Sequence, residues 1–216
     1  MENFLTLATE DRVATRDAVV RTLKNGEVAV LASESGYIYV ADAFSAPAVN
    51  RIHAIRRADD GTACQVFVGS AKTAQGVARN YSKDVQALAE KFWPGPLTLL
   101  LAPQQGLNWD LGDAGSLDEF ALRVPAHPFL LEVLAECGPV AIASASIAGR
   151  PVTTDINYVP ALPSDVGIYV DEGPLEVVGK STVVRNGTSG LEMVREGDIS
   201  FATLAEVVSG ISAGTL

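Results

Sequence analysis

The chain has only two cysteines, Cys64 and Cys137, far apart and without CxxC spacing. That excludes a disulfide framework and fits a reduced, cytoplasmic protein whose thiols are structural. Its two histidines, His53 and His127, form no metal-ligand pattern, so no metal site built from protein side chains is expected. With so few histidines no Ser/His/Asp nucleophile arrangement is readable. No apolar run reaches the length of a membrane span, and no membrane association is expected. The start, Met1-Glu2-Asn3-Phe4, lacks the basic residues and long apolar core of a signal peptide. Basic excess is missing too: 16 Lys and Arg stand against 26 Asp and Glu, a net charge of −10. A chain that coats phosphate backbones carries a basic face, so general RNA or DNA binding is disfavoured, while a local basic cleft stays open. Neither a P-loop nor a dinucleotide glycine fingerprint is present, so any nucleotide must be held by side chains spread along the chain.

What is present builds a core. Hydrophobic residues make up 48% of the 216 and charged residues 19%, enough to bury one large domain and too apolar for bulk disorder. Helical spacing predicts helices over 11–25, 47–57, 83–92, 127–137 and 201–208. In the second of these Val49, Ile52 and Ile55 are expected inward, and Arg51, Arg56 and Arg57 outward. Strands are expected over 27–32, 65–68, 97–102, 120–124, 140–144, 167–170, 181–184 and 191–195, with a polar turn at Ser33-Glu34-Ser35-Gly36. Residues 104–118 and 150–165 read as mobile loops. The alternation, with no composition break, predicts one α/β domain with a mixed sheet.

The most informative stretch is Trp93-Pro94-Gly95-Pro96-Leu97-Thr98, followed by Leu99-Leu100-Leu101. Two prolines around a glycine shape a tight turn, and the turn delivers the Thr98 hydroxyl to the end of a buried strand. It reads equally as a well-made turn or as a ligand-holding strand end. Further polar clusters sit at strand ends or beside them: Ser33-Glu34-Ser35-Gly36-Tyr37, Arg56-Arg57, Arg123-Val124-Pro125, Ser144-Ala145-Ser146, Ser181-Thr182 and Arg195-Glu196-Gly197. Arginines with serines suit a polyanion plus a small carboxylate, because guanidinium forms bidentate charge-assisted bonds to either. Taken singly, each serine is equally a turn or cap residue and each arginine a solvated surface charge.

Their order resembles the YrdC-like family, which includes the YciO-like paralogues and the threonylcarbamoyl-AMP synthases. The likeness runs from about Gly26 to Ile199. Ala32-Ser33-Glu34-Ser35-Gly36-Tyr37 stands at the family's opening Pro-Thr-Asp/Glu-Thr-Val-Tyr, Arg56-Arg57-Ala58-Asp59 at its Lys-x-Arg-Pro, and Ser144-Ala145-Ser146-Ile147-Ala148-Gly149 at its Ser-Ala-Asn-x-Ser-Gly. Residues 93–98 and Ala121-Leu122-Arg123-Val124-Pro125-Ala126-His127-Pro128 match most closely. The resemblance implies a twisted open mixed sheet with flanking helices and a concave cleft, spanning 1–216 as a single domain. It implies synthesis of threonylcarbamoyl-adenylate from L-threonine, bicarbonate and ATP, with Mg²⁺ brought by the phosphates, for tRNA threonylcarbamoyladenosine modification and with partner proteins of that pathway. Substrate contacts would fall to Ser33, Ser35, Tyr37, Arg123 and Ser181. ATP contacts would fall to Arg56, Arg57, Thr98, Ser144, Ser146 and Arg195.

The departures lie on these working positions. Ala58 removes the family's second cation and Asp59 adds a negative charge beside it. Ser146 shortens an asparagine and Ala148 deletes a hydroxyl. Phe67 lies about where some members place a histidine. Arg57, one position from Ala58 on a long flexible stem, is the candidate substitute. Glu34-Ser35-Gly36-Tyr37 and Ile55-Arg56 followed by Asp60-Gly61 look more like the YciO-like paralogues. The alternative is therefore a paralogue without this activity that binds a nucleotide, tRNA or double-stranded RNA. A third reading is an accessory subunit with a vestigial cleft.

Overall fold

The computed structural model describes residues 4–8, 11–59, 61–116, 118–162, 164–176 and 179–214. Asp60 of the Asp60-Gly61 pair lies outside them, as do Met1, Glu2 and Asn3. The first helix, α1 (Arg12–Lys24), opens where the Asp11 carboxylate accepts the amides of Val13 and Ala14 at 2.8 and 3.0 Å, and stops at Asn25 and Gly26. Strands β2 (Ala29–Ser33) and β3 (Gly36–Asp42) follow as a hairpin, with Ser33 opposite Gly36 and Glu34-Ser35 as its turn. β3 is absent from the sequence reading; like β2, it is buried on both faces.

Helix α2 (Ala46–Arg56) precedes β4 (Gln65–Phe67), α3 (Ala71–Val77) and α4 (Lys83–Phe92). Then come β5 (Leu97–Leu101), β6 (Phe120–Arg123), α5 (Pro128–Cys137) and β7 (Val140–Ser144). The chain closes with β8 (Ile168–Asp171), β9 (Thr182–Gly187), β10 (Gly190–Arg195) and α6 (Phe201–Val207). The N-terminal strand β1 (Phe4–Thr6) and the two-residue β11 (Ser212–Ala213) complete one mixed eleven-stranded sheet, ordered β1-β8-β2-β3-β7-β4-β6-β5-β9-β10-β11. Neither of these edge strands nor α3 was expected. Each is too short to carry a periodic signal and forms against a neighbour or a local cap: β8, β10, and Ser70, whose hydroxyl caps Thr73.

Strand alternation sorts the sheet into two faces. Leu97, Leu99, Leu101, Leu122, Val66 and Val184 point to one, where Val49, Ile52, Leu88 and Leu204 from α2, α4 and α6 bury them. Leu31, Ile38, Val40, Phe67 and Ile142 point to the other, against Val19 and Leu23 of α1 and Phe129, Leu130 and Val133 of α5. Residues of this second face, Ile38, Phe67, Ile142 and Arg123 among them, also line an open cleft. The expected architecture is observed: a mixed α/β sheet with flanking helices and a concave face.

Two local expectations change. Arg56, expected outward, is half-buried with its guanidinium turned onto β7. The 104–118 loop is anchored by Leu111, which is fully buried and whose carbonyl accepts the Cys64 amide at 2.7 Å.

Candidate functional site

The cleft encloses about 520 Å³. Five segments converge on it: the β2–β3 hairpin (Ser33, Ser35, Ile38), the end of α2 through β4 (His53 to Phe67), Arg123 from β6, β7 and the turn after it (Ile142, Ser144, Ala148, Val152), and residues 179–181 with Arg195 of β10. Only the fold makes them neighbours, since they span the chain from Ser33 to Arg195.

Each arginine in the cleft is held by carbonyl oxygens. Arg56 Nη1 donates to Ser144 O and, at 3.0 Å, to Ser146 O, while the Arg56 carbonyl accepts the Ala148 amide at 2.8 Å. This double tie joins the C-terminus of α2 to the turn after β7. Arg195 donates to Ser181 O at 2.8 Å and to Ser181 Oγ at 3.0 Å. That hydroxyl also accepts from Thr98 Oγ1 at 3.0 Å, and Thr98 accepts from Gln65 Nε2 at 3.2 Å. Arg123 is 3% exposed; its Nε donates to Gly95 O at 2.8 Å and its Nη2 pairs with Glu34. Burial lowers the pKa of both Arg56 and Arg123 from the ordinary guanidinium value, because the charged form loses hydration. The turn at 93–98 is thus a scaffold: Gly95 binds Arg123, the Trp93 indole donates to Leu97 O at 2.7 Å, and a Cβ on Gly95 would sit 2.5 Å from Phe92 O.

Of the residues singled out in the sequence, Ser33, Ser35, Arg56, Arg123, Ser144, Ser181 and Arg195 line the cleft. Thr98 sits one hydrogen bond behind Ser181, and Ser146 contributes its carbonyl to Arg56 rather than a lining side chain. Two others are not brought to the cleft. The Tyr37 hydroxyl donates to Gly173 O at 2.8 Å and accepts the Glu172 amide at 2.9 Å, so it fastens the segment after β8. Arg57 is the exposed left-handed cap of α2, φ +53, and is absent from the lining. Lining residues that went unnoticed as site candidates include His53, Thr62, Cys64, Gln65 and Lys180. Lys180 is adjacent to Ser181, and that adjacency is the only signal that pointed to it.

The cleft offers no thiol nucleophile. Burial pushes the Cys64 thiol up to about 12 and the Cys137 thiol up to about 11. His53 Nε2 lies 3.0 Å from Leu111 O and 3.4 Å from Cys64 Sγ. In native protein at pH 8 both cysteines are expected to react with a thiol-specific disulfide reagent at least tenfold more slowly than in denaturant, where two thiols per chain should titrate. Because both folded pKa values are raised, the stability they contribute is present below about pH 8.5 and falls as pH rises towards 11–12. Urea midpoints measured from pH 8 to 10.5 check the sign. Among the described residues no group of three His, Cys, Asp or Glu side chains is placed to hold a metal ion, and no helix is long and apolar enough to cross a membrane.

Residues 21–197 match the model of the Sua5/YciO/YrdC family, described as telomere recombination. The chain belongs to this family. A Mycobacterium tuberculosis relative named "Putative threonylcarbamoyl-AMP synthase" is 34% identical over 200 residues, covering 92% of this chain and 91% of its own length. Among solved structures, Pyrococcus abyssi Sua5 complexed with L-threonine has a TM-score of 0.85 at 23% identity over 98% of this chain. The present chain spans 62% of that longer protein. Escherichia coli YciO has a TM-score of 0.74 at 20% identity, covering 91% of this chain and 95% of its own. At such identities these structures establish the shared Sua5/YciO fold, with its open sheet.

Proposed function

We propose that the protein forms threonylcarbamoyl-adenylate from L-threonine, bicarbonate and ATP, for the modification of tRNA. The observation that carries the reading is the convergence of seven motif residues on one cleft of about 520 Å³. Relatives named as synthases of this product add to it. In the reaction the threonine amine takes up the bicarbonate carbon with loss of water, and an oxygen of the resulting carboxylate bonds to the α-phosphorus of ATP as pyrophosphate leaves. No protein nucleophile is required, which agrees with the inert Cys64 thiol. The protein's task is to position substrates and stabilise charge. By place in the motifs, Ser35 and Ser181 meet threonine, Arg123 lies behind its carboxylate end, and Arg56, Ser144 and Arg195 face the nucleotide, with Thr98 orienting Ser181. The described residues offer no ligand set of their own for Mg²⁺, which accompanies ATP as its counter-ion.

Purified protein with all three substrates should release pyrophosphate and form the adenylate, and omission of threonine or bicarbonate should abolish release. Absence of release in the complete mixture would overturn the reading.

One observation favours a second reading. Ala58 and Asp59 both line the cleft, so a neutral and an acidic side chain face the site where the family has a cation. Nucleotide binding without turnover would follow. For its RNA form, affinity for tRNA should fall steeply between low and moderate salt; the net charge of −10 predicts none to measure.

A further inference from the structure

We propose that Lys180 is the cation that meets the polyphosphate in the cleft, in place of the one missing at Ala58. The inference rests on the nucleotide reading of this site. The three cleft arginines each give donors to the protein: Arg56 to Ser144 O and Ser146 O, Arg195 to Ser181, and Arg123 to Gly95 O and Glu34. Lys180 lines the same cleft, is exposed, and makes no ion pair or side-chain hydrogen bond among the described residues. Among the described residues it is the one lining lysine or arginine whose donors are all available to a ligand.

Its backbone is fixed even though its side chain is free. The Lys180 amide donates to Asp198 Oδ1 at 3.2 Å, and its carbonyl accepts the Asp198 amide at 2.9 Å. On either side the space admits only glycine: a Cβ on Gly179, φ +52, would stand 1.8 Å from Asp198 Oδ1, and one on Gly197 would stand 2.2 Å from Lys180 O. A long cationic side chain thus projects from a rigid platform beside Ser181 and Arg195. Arg57, the substitute expected from the sequence, is the exposed cap of α2 and is not in the lining. An ammonium with three free donors on such a base suits a charge-dense, flexible anion such as a triphosphate or departing pyrophosphate.

The test is calorimetric titration of inorganic tripolyphosphate into wild-type protein, Lys180→Met and Lys180→Arg, beside threonine-dependent pyrophosphate release. Lys180→Met is expected to weaken tripolyphosphate about 10- to 100-fold, the range for a hydrogen bond to a charged group. Lys180→Arg should stay within about threefold, since the charge is kept. Adding Ala58→Arg to Lys180→Met should restore most of the loss if both positions address one polyphosphate. Equal binding by wild type and Lys180→Met, or no binding by wild type at low salt, overturns the inference. The two readings fail separately. Lys180-dependent tripolyphosphate binding without adenylate formation removes the synthase reading and keeps Lys180. Adenylate formation that Lys180→Met leaves untouched does the reverse.

Discussion

Arg123→Ala should destabilise the protein by about 3–5 kcal/mol, the range for removing one partner of a buried ion pair. The guanidinium is 3% exposed and has three distinct contacts: the Glu34 carboxylate, the Gly95 carbonyl at 2.8 Å, and the Phe67 ring, whose centroid lies 5.8 Å away. Truncation leaves Glu34, which also accepts the Ala126 amide at 3.0 Å, as a partly buried carboxylate without a counter-charge. It also orphans the carbonyl that locks the 93–98 turn. Arg123→Lys should recover only part, because one ammonium does not reproduce the fork that reaches a carboxylate and a carbonyl together. The double change Arg123→Met with Glu34→Gln should be less destabilising than Arg123→Ala alone, since it removes the unpaired charge rather than exposing it. Urea unfolding at constant slope measures all of these. A loss below about 1 kcal/mol for Arg123→Ala would show that the pair does not hold the turn.

Arg56→Ala should lower kcat/KM for adenylate formation by about 10²- to 10³-fold while reducing stability by only about 1–2 kcal/mol. Arg56 closes the seam between α2 and the turn after β7, through two donated bonds and one accepted bond. Its removal deletes a cation from the cleft wall and also loosens the backbone that carries Ser144 and Ala148 into the lining. A displacement of about 1 Å in a positioning residue is enough for a 10²-fold loss. Arg56→Lys keeps the charge and loses the bridge, and an intermediate loss of about tenfold is expected. Steady-state pyrophosphate release paired with a melting curve separates the two contributions. An unchanged rate in Arg56→Ala would remove Arg56 from the site.

How much was legible in advance can be argued from these residues. The helices of 12–24, 83–92 and 128–137 carry apolar spacing that acts locally and was legible; the side-chain caps at Asp11 and Ser82 are seen only in the structure. β2 was readable as a short apolar run although it is buried throughout, while β3, equally buried, was not read; β1 and β11 were not, because three and two residues carry no periodic signal. The motif order located the cleft residues without their contacts. Arg56 read as outward because a charged side chain with no partner visible in the sequence is expected in solvent; the acceptors that draw it in belong to Ser144 and Ser146, about ninety residues on. Tyr37 read as a ligand contact, yet its hydroxyl meets Gly173, and Arg57 read as a spare cation, yet it is the exposed cap of its helix and is not in the lining.

The sequence by itself determined the fold class and the family, because periodicity and motif order are properties of short segments. The tertiary structure alone decided which of the motif side chains meet, which arginines are occupied by carbonyl groups and which lysine is left free. Those outcomes depend on where distant backbone oxygens lie, and only the strand order of the folded sheet places them.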